Sequence, residues 1–84
     1  MSYWDRRLTR FELARVLGAR ALQISLGAPV LVKTSGKEFA LEIAKRELMD
    51  GKVPMVVIRR YPDGVMERIE LNEKDALQSA KDFF

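Results

Sequence analysis

Cysteine and histidine are both absent from this sequence of 84 residues. Without cysteine, disulfides and thiolate metal sites are excluded. Without histidine, the commonest metal ligand and the commonest general base are also missing. A chain of this length has a small hydrophobic core, which supplies little stability by itself. We therefore expect either a partner protein or unusually good internal packing to stabilise the fold.

Long hydrophobic runs are absent as well. The longest charge-free segment of note, residues 21–32, is too short to span a bilayer. Residues 1–10 are polar and charged, which does not fit a signal peptide. These features predict a cytoplasmic protein that makes no membrane contact.

The net charge of +3 lies wholly in the first third of the chain. Residues 1–27 hold five arginines against Asp5 and Glu12, whereas the acidic and basic residues of 28–84 cancel. This excess is small for a free-standing nucleic-acid binder. It fits an acidic protein surface at least as well.

Hydrophobic periodicity predicts a single α+β domain over residues 1–84, with two main helices, a short strand and a C-terminal antiparallel β-hairpin. Thr9 and Glu12 have the spacing of a capping box. We therefore expect the first helix to run from Thr9 to Leu26 and to stop at Gly27.

The remaining elements follow from similar signals. The second helix is predicted over residues 38–50, with Ser35 and Glu38 as another possible capping box and Gly51 as its stop. The run Tyr61-Pro62-Asp63-Gly64 is typical of a tight turn. Three strands are expected, at residues 30–33, 53–60 and 65–71. Residues 1–8 are expected to be flexible, and residues 72–84 to form either a tail or a short helix capped by Asn72.

The first helix carries apolar residues on too many sides for so small a domain. On a helical wheel one broad arc has a centre of small residues, Ala14, Gly18, Ala21 and Ser25, which allow another backbone to approach closely. A glycine in mid-helix costs up to about 1 kcal/mol relative to alanine, so close packing is a reason to keep Gly18. Two interpretations remain open: scattered exposed apolar residues, which are normal on any surface, or a helix held between its own domain and a partner.

The same helix resembles a known family. The run from Leu8 to Val30, LTRFELARVLGARALQISLGAPV, is similar to the signature of archaeal RNA polymerase subunit K, whose family includes the sixth subunit shared by the eukaryotic nuclear polymerases and, more distantly, bacterial omega. Three later runs, residues 40–48, 51–54 and 58–64, match in the same order. Residues 34–38 and the ending after Leu71 depart from the family pattern, so no role is carried over to residues 72–84.

The resemblance implies a non-catalytic subunit that binds the largest polymerase subunit and promotes assembly and stability of the enzyme. It implies no cofactor, no metal and no sequence-specific contact with nucleic acid. We expect the partner interface to comprise residues of the first helix, the segment after it and the hairpin: Arg10, Phe11, Ala14, Arg15, Gly18, Ala19, Arg20, Ala21, Leu22, Gln23, Ser25, Gly27, Pro29, Arg59 and Arg60.

Two other function classes are catalysis and nucleic-acid binding. Catalysis has little support, because the helical carboxylates alternate with lysine and arginine as on a solvated helix face and no phosphate-binding loop is present. A small basic nucleic-acid-binding module is the alternative. Its surface would combine arginines with aromatic rings at Tyr3, Trp4 and Phe11, together with Arg6, Arg7, Arg10, Arg15 and Arg20.

Overall fold

The computed structural model describes residues 6–84 of the chain, as three helices and one β-hairpin. In chain order the elements are α1 (Arg10–Ser25), α2 (Ala40–Met49), β1 (Val56–Arg60), β2 (Met66–Glu70) and α3 (Lys74–Phe83). Helix α2 lies against both α1 and α3. The α+β class and the C-terminal antiparallel hairpin are confirmed.

Helix α1 begins where the sequence predicts. The Thr9 hydroxyl accepts a hydrogen bond from the Glu12 N–H at 3.1 Å, and the Glu12 carboxylate accepts one from the Thr9 N–H at 2.9 Å. This reciprocal box satisfies two backbone donors that the first helical turn leaves unpaired. The helix ends beside Gly27, whose φ of 99° suits glycine and few other residues.

The segment between α1 and α2 differs from the prediction. Residues 30–33 form irregular loop rather than a short strand, because their backbone pairs with side chains of α2 and not with another strand. The Leu31 N–H donates to the Glu47 carboxylate at 2.8 Å, and the Lys33 carbonyl accepts from the Arg46 guanidinium at 2.7 Å.

The predicted second capping box does not form either. Phe39 is the residue that precedes α2, and it makes no side-chain capping bond. The carboxylate of Glu38 is instead held by the Thr34 hydroxyl at 2.8 Å and by the Arg46 guanidinium. Helix α2 therefore begins two residues later than predicted. It ends as expected, since Gly51 follows it with a φ of 69°.

A fully buried ion pair joins α1 to α2. The Arg20 guanidinium contacts the two oxygens of the Glu47 carboxylate at 2.5 and 3.2 Å. The guanidinium also donates to the Pro29 carbonyl at 2.8 Å. Only 4% of the Arg20 side chain and none of the Glu47 side chain is exposed. This pair fastens two helices and the loop between them at one point.

The hairpin has the predicted turn and shorter strands than expected. The Gly64 N–H donates to the Tyr61 carbonyl at 3.0 Å, and Gly64 has a φ of 88°, as a tight turn requires. The pairing register places Val57 opposite Ile69 and Arg59 opposite Glu67. These alternate residues face the helices, and Ile69 is fully buried.

Residues 6–8, the first that the structure describes, contact α3 and the residue before it. The helical alternative for residues 72–84 is confirmed, although Glu73 rather than Asn72 precedes the first turn. Residues 6–8, expected to belong to a flexible segment, make definite contacts here. The buried Leu8 donates its N–H to the Ser79 hydroxyl at 2.9 Å, and the Arg6 guanidinium contacts the Glu73 carboxylate at 2.8 Å.

The hydrophobic core lies between α1, the hairpin and the two shorter helices. Its buried side chains come from the segment before α1, the three helices, the segment before β1, and β2 with the residue after it: Leu8, Leu13, Val16, Leu48, Val53, Ile69, Leu71, Ala76 and Ala80. Within residues 6–84, no helix is long and apolar enough to cross a membrane.

Removing one member of the Arg20–Glu47 pair leaves the other as an unpaired buried charge. We expect Arg20→Met to lower the free energy of unfolding by about 3–5 kcal/mol, measured by chemical denaturation with circular dichroism. The double variant carrying Glu47→Met as well removes both charges and should be clearly more stable than Arg20→Met alone. A single variant as stable as the parent chain would contradict the pairing.

Candidate partner interface

The side of α1 that points away from the core is apolar and uncovered. Phe11 is 81% exposed, Leu22 is 60% exposed and Leu26, just after the helix, is 79% exposed. Large apolar side chains that lie together on one uncovered face mark a protein-contact surface more often than scattered ones do. We call this face, comprising Phe11, Ala14, Arg15, Gly18, Ala19, Leu22, Ser25 and Leu26, the α1 outer face.

The centre of the α1 outer face is small and open. A Cβ built on Gly18 has no described atom within 4 Å apart from its own helical neighbourhood. Ala14 and Ser25 on either side of it are exposed, and Ala21 at the margin is half-buried. The predicted stripe of small residues thus lies on the surface, where a partner backbone can approach it.

The opposite side of α1 supplies the core contacts. Leu13, Val16 and Arg20 are buried there, and Leu17 and Ile24 are half-buried beside them. The broad apolar arc expected from the sequence is therefore divided between two faces. Arg20 lies in the buried face of α1. A helical wheel drawn from hydrophobicity alone therefore does not identify the centre of that face.

Two predicted interface arginines are used inside the fold. Arg20 is bound to Glu47, and Gln23 and Pro29 serve the same cluster by accepting from the Arg20 guanidinium at 3.1 and 2.8 Å. Gly27 makes the turn that brings Pro29 back to α1. We therefore leave these four residues out of the interface that is proposed below.

Arg59 is the second internal arginine, and it ties the hairpin to the start of α1. Its guanidinium donates to both oxygens of the Glu12 carboxylate at 2.8 Å and to Glu67 at 3.2 Å. It also donates to the Arg7 carbonyl. Hydrogen bonding to Glu12 raises the pKa of Arg59, and the same contact lowers the pKa of Glu12. Arg59 is 8% exposed, so we leave it out of the interface too.

The other carboxylates at these junctions also favour the ionised form. Burial alone would raise the pKa of Glu47, but the hydrogen bonds from Arg20 and the Leu31 N–H outweigh it, so this pKa lies below its usual value. The hydrogen bond from Arg6 lowers the pKa of Glu73. Both groups are therefore charged near neutral pH and act as structural anions.

Three of the predicted arginines remain on the surface. Arg10 and Arg15 on α1 and Arg60 on β1 are exposed, and within residues 6–84 no ion pair engages any of them. Arg15 belongs to the α1 outer face, Arg10 lies on the first turn of the same helix, and Arg60 lies on β1. Arginine in such a position suits a protein interface, because its guanidinium binds carboxylates in a bidentate manner.

The nucleic-acid alternative finds less support in this arrangement. Of its predicted cations, Arg20 is buried and Arg6 contacts the Glu73 and Glu67 carboxylates. Tyr3 and Trp4 lie outside the described residues. Among residues 6–84, no group of three or more acidic side chains is placed to hold a metal ion.

One exposed apolar surface was not found from the sequence. Ile58 and Met66 on the outer side of the hairpin are 47% and 63% exposed. The alternation of the strands contained the signal, since Val56 and Ile58 share one side of β1 and Val57 and Arg59 the other. From hydrophobicity alone, the side of β1 with Val56 and Ile58 would be expected to face the core. In the structure, the side with Val57 and Arg59 faces the core instead.

Comparisons with known proteins agree on one family. The sequence matches the family described as RNA polymerase Rpb6 over residues 3–55. It is 49% identical over 65 residues to the DNA-directed RNA polymerase subunit Rpo6 of Thermofilum pendens, which covers 76% of this chain and 80% of that protein. It is 40% identical over 72 residues to the subunit Rpo6 of Sulfolobus acidocaldarius, covering 83% of this chain and 81% of that protein.

Eukaryotic relatives match over a smaller share of their own length. The DNA-directed RNA polymerases I, II, and III subunit RPABC2 of Saccharomyces cerevisiae is 47% identical over 66 residues. This alignment covers 79% of the chain but 43% of the yeast protein. The chain therefore spans about half the length of the eukaryotic relatives it matches.

The structural carboxylates determine how stability depends on pH. Because the pKa values of Glu12, Glu47 and Glu73 are lowered by folding, the unfolded chain takes up protons first as the pH falls. We expect a nearly constant free energy of unfolding between about pH 6 and 8, since the sequence has no histidine, and a steady loss below about pH 5. The free energy of unfolding is measured by denaturant titrations at a series of pH values across this range. Rising stability on acidification would contradict the assignment.

Proposed function

The chain belongs to the RNA polymerase Rpb6 family, and on that basis we propose that it is a non-catalytic subunit of a multi-subunit DNA-directed RNA polymerase. The observation that carries the proposal is the alignment with archaeal Rpo6 proteins, which covers at least four-fifths of their length in the two cases above. We further propose that it binds the largest subunit of that enzyme and promotes its assembly and stability.

The α1 outer face is the surface that we assign to this contact. It is largely apolar, its centre at Gly18 is open, and it includes the exposed Arg15, with the exposed Arg10 on the first turn of the same helix. A face with small residues in the middle and large ones around them suits a helix or an extended segment packed at short distance. The matched family region, residues 3–55, contains the whole of α1, which is consistent with a shared role for this helix.

The internal ion pairs support the same assignment indirectly. Arg20 and Arg59 hold the inner side of α1 against α2 and the hairpin, so the outer side is presented in a fixed orientation. A preformed surface loses less conformational entropy on binding than a flexible one. The proposed interface on α1 and β1 therefore comprises the α1 outer face with Arg10, Ala21 and Arg60.

Co-purification tests the proposal at the level of the whole protein. A tagged copy expressed in its own organism should elute with a multi-subunit RNA polymerase at one copy per enzyme, identified by native mass spectrometry. Partial dissociation of that complex should yield a binary species with the largest subunit. Recovery of the chain as a lone monomer would contradict the proposal. Tight and steeply salt-dependent binding of DNA or RNA by the isolated chain would favour the alternative.

Gly18→Leu tests the interface itself. The added side chain meets no described atom of the chain, and replacing a helical glycine removes a cost of up to about 1 kcal/mol, so the isolated fold should keep or gain stability. A partner packed closely against Gly18 would be displaced by the new side chain, which costs about 1–3 kcal/mol in a well-packed contact. Incorporation into polymerase, measured by competition with the parent chain, should therefore fall.

Glu42→Leu is the matched control, because it adds the same side chain at an exposed position of α2. It should compete with the parent chain about equally for incorporation. If Gly18→Leu is incorporated as well as Glu42→Leu, the α1 outer face is not the contact.

A further inference from the structure

The two outer edges of the hairpin differ in whether their backbone groups form hydrogen bonds with the rest of the chain. The Tyr61 N–H donates to the Val65 carbonyl at 2.9 Å, which continues the pairing of Arg59 with Glu67 and of Val57 with Ile69. Hydrogen-bonded pairs alternate along an antiparallel ladder. The N–H and C=O groups of Val56, Ile58 and Arg60 therefore point away from β2, toward the free edge of β1.

The outer edge of β2 is covered from within the chain. The Arg68 carbonyl accepts from the Arg6 guanidinium at 2.6 Å. The Glu70 N–H donates to the Glu73 carboxylate at 2.6 Å, and the Glu70 carbonyl accepts from the Glu73 N–H at 3.2 Å. On the free edge of β1, by contrast, no described residue supplies a hydrogen-bond partner to the backbone of Val56, Ile58 or Arg60. Proteins normally cover or disrupt such an edge, because it is a template for pairing with another chain.

A groove runs beside the open edge. It lies between β1 and the flank of α1, has a volume of about 410 Å³, and is lined by Glu12, Arg15, Val16, Ala19 and residues 55–58. Arg15 and Ala19 belong to the α1 outer face as well, so the groove continues that surface onto the hairpin. An added strand would lie about 4.8 Å from β1, beside residues that also line this groove.

The charges around the groove indicate what occupies it. Arg15 and Arg60 are exposed, and no carboxylate within residues 6–84 forms an ion pair with either. Glu12, the acidic residue in the groove wall, is already bound in a bidentate manner by Arg59. Arg15 in the groove wall and Arg60 on β1 are therefore uncompensated positive charges, and Val16, Val57 and Ala19 give the groove an apolar wall. An extended segment with acidic side chains and apolar ones between them complements this surface.

We propose that β1 receives an extended, acidic segment of the polymerase partner as a third strand of the sheet. This inference rests on the proposed function and specifies how that partner is held. Main-chain hydrogen bonds to Val56, Ile58 and Arg60 provide the pairing. Carboxylates of the added segment bind Arg15 and Arg60, so the partner contacts both the hairpin and α1.

Hydrogen exchange on the assembled enzyme tests the strand. A polymerase reconstituted from purified subunits with this chain, and the chain alone, are compared by amide exchange with mass spectrometry. The amides of Val56, Ile58 and Arg60 should exchange rapidly in the isolated chain and slowly in the enzyme. The amides of Val57 and Arg59, already bonded to β2, should be protected in both.

Ile58→Pro tests the same contact by competition for incorporation. Proline removes the N–H that points toward the added strand, but it spares the ladder between β1 and β2, and proline is tolerated on edge strands. Loss of this hydrogen bond should weaken incorporation about tenfold. Ile58→Thr keeps the N–H and the β-branched shape, so it serves as the control and should be incorporated more strongly than Ile58→Pro. Val56→Pro makes the same test if Ile58→Pro unfolds the chain.

The outcomes separate this inference from the proposed function. If the chain enters the polymerase but the three amides stay unprotected, or if the proline variants compete like Ile58→Thr, the third strand is overturned and the subunit assignment stands. If the chain does not enter the polymerase at all, the proposed function fails with it. Protection of the same amides in the isolated chain at high concentration would mean that a second copy fills the edge, which also overturns the proposal.

Discussion

The buried pair of Arg20 and Glu47 is the constraint on which the arrangement of this domain depends. One carboxylate, with none of its surface exposed, binds a guanidinium on α1 and a backbone N–H at Leu31, while the guanidinium also reaches the Pro29 carbonyl. These contacts fix the positions of α1, α2 and their connecting loop relative to one another. The cost of desolvating both charges is offset by these hydrogen bonds, and within residues 6–84 no buried side-chain nitrogen or oxygen is left without a partner.

Fixing one side of α1 determines what its other side can do. The domain measures only 16 Å along its shortest axis, so an element held on one face has its opposite face in solvent. Helix α1 and the hairpin each have one buried arginine among apolar residues on the inner side, and exposed apolar residues on the outer side. The usual distribution, with charge outside and hydrocarbon inside, is reversed at Arg20 and Arg59. The exposed apolar residues on the outer side are consistent with the interface proposed above.

Local signals in the sequence were sufficient for the elements that depend on neighbouring residues. The Thr9 box, the tight turn ending at Gly64 and the helix stops at Gly27 and Gly51 need no distant partner, and each forms as predicted. Residues 30–33 have the composition of a strand, but a carboxylate 16 residues away along the chain captures the Leu31 N–H instead. The sequence also did not reveal that Arg20 and Arg59 are buried, because their burial depends on acidic residues that periodicity does not connect to them.

The carboxylate of Glu12 links the start of α1 to the hairpin. It closes the first turn of α1 through the Thr9 N–H, and it also binds Arg59, which lies 47 residues further along the chain. The start of a helix is usually a local event that forms and frays independently of the rest of a domain. Here the group that initiates the helix is shared with a distant strand, so detachment of the hairpin also weakens the helix start. The N-terminal helix and the C-terminal hairpin are in this way parts of one cooperative unit, despite their separation in sequence.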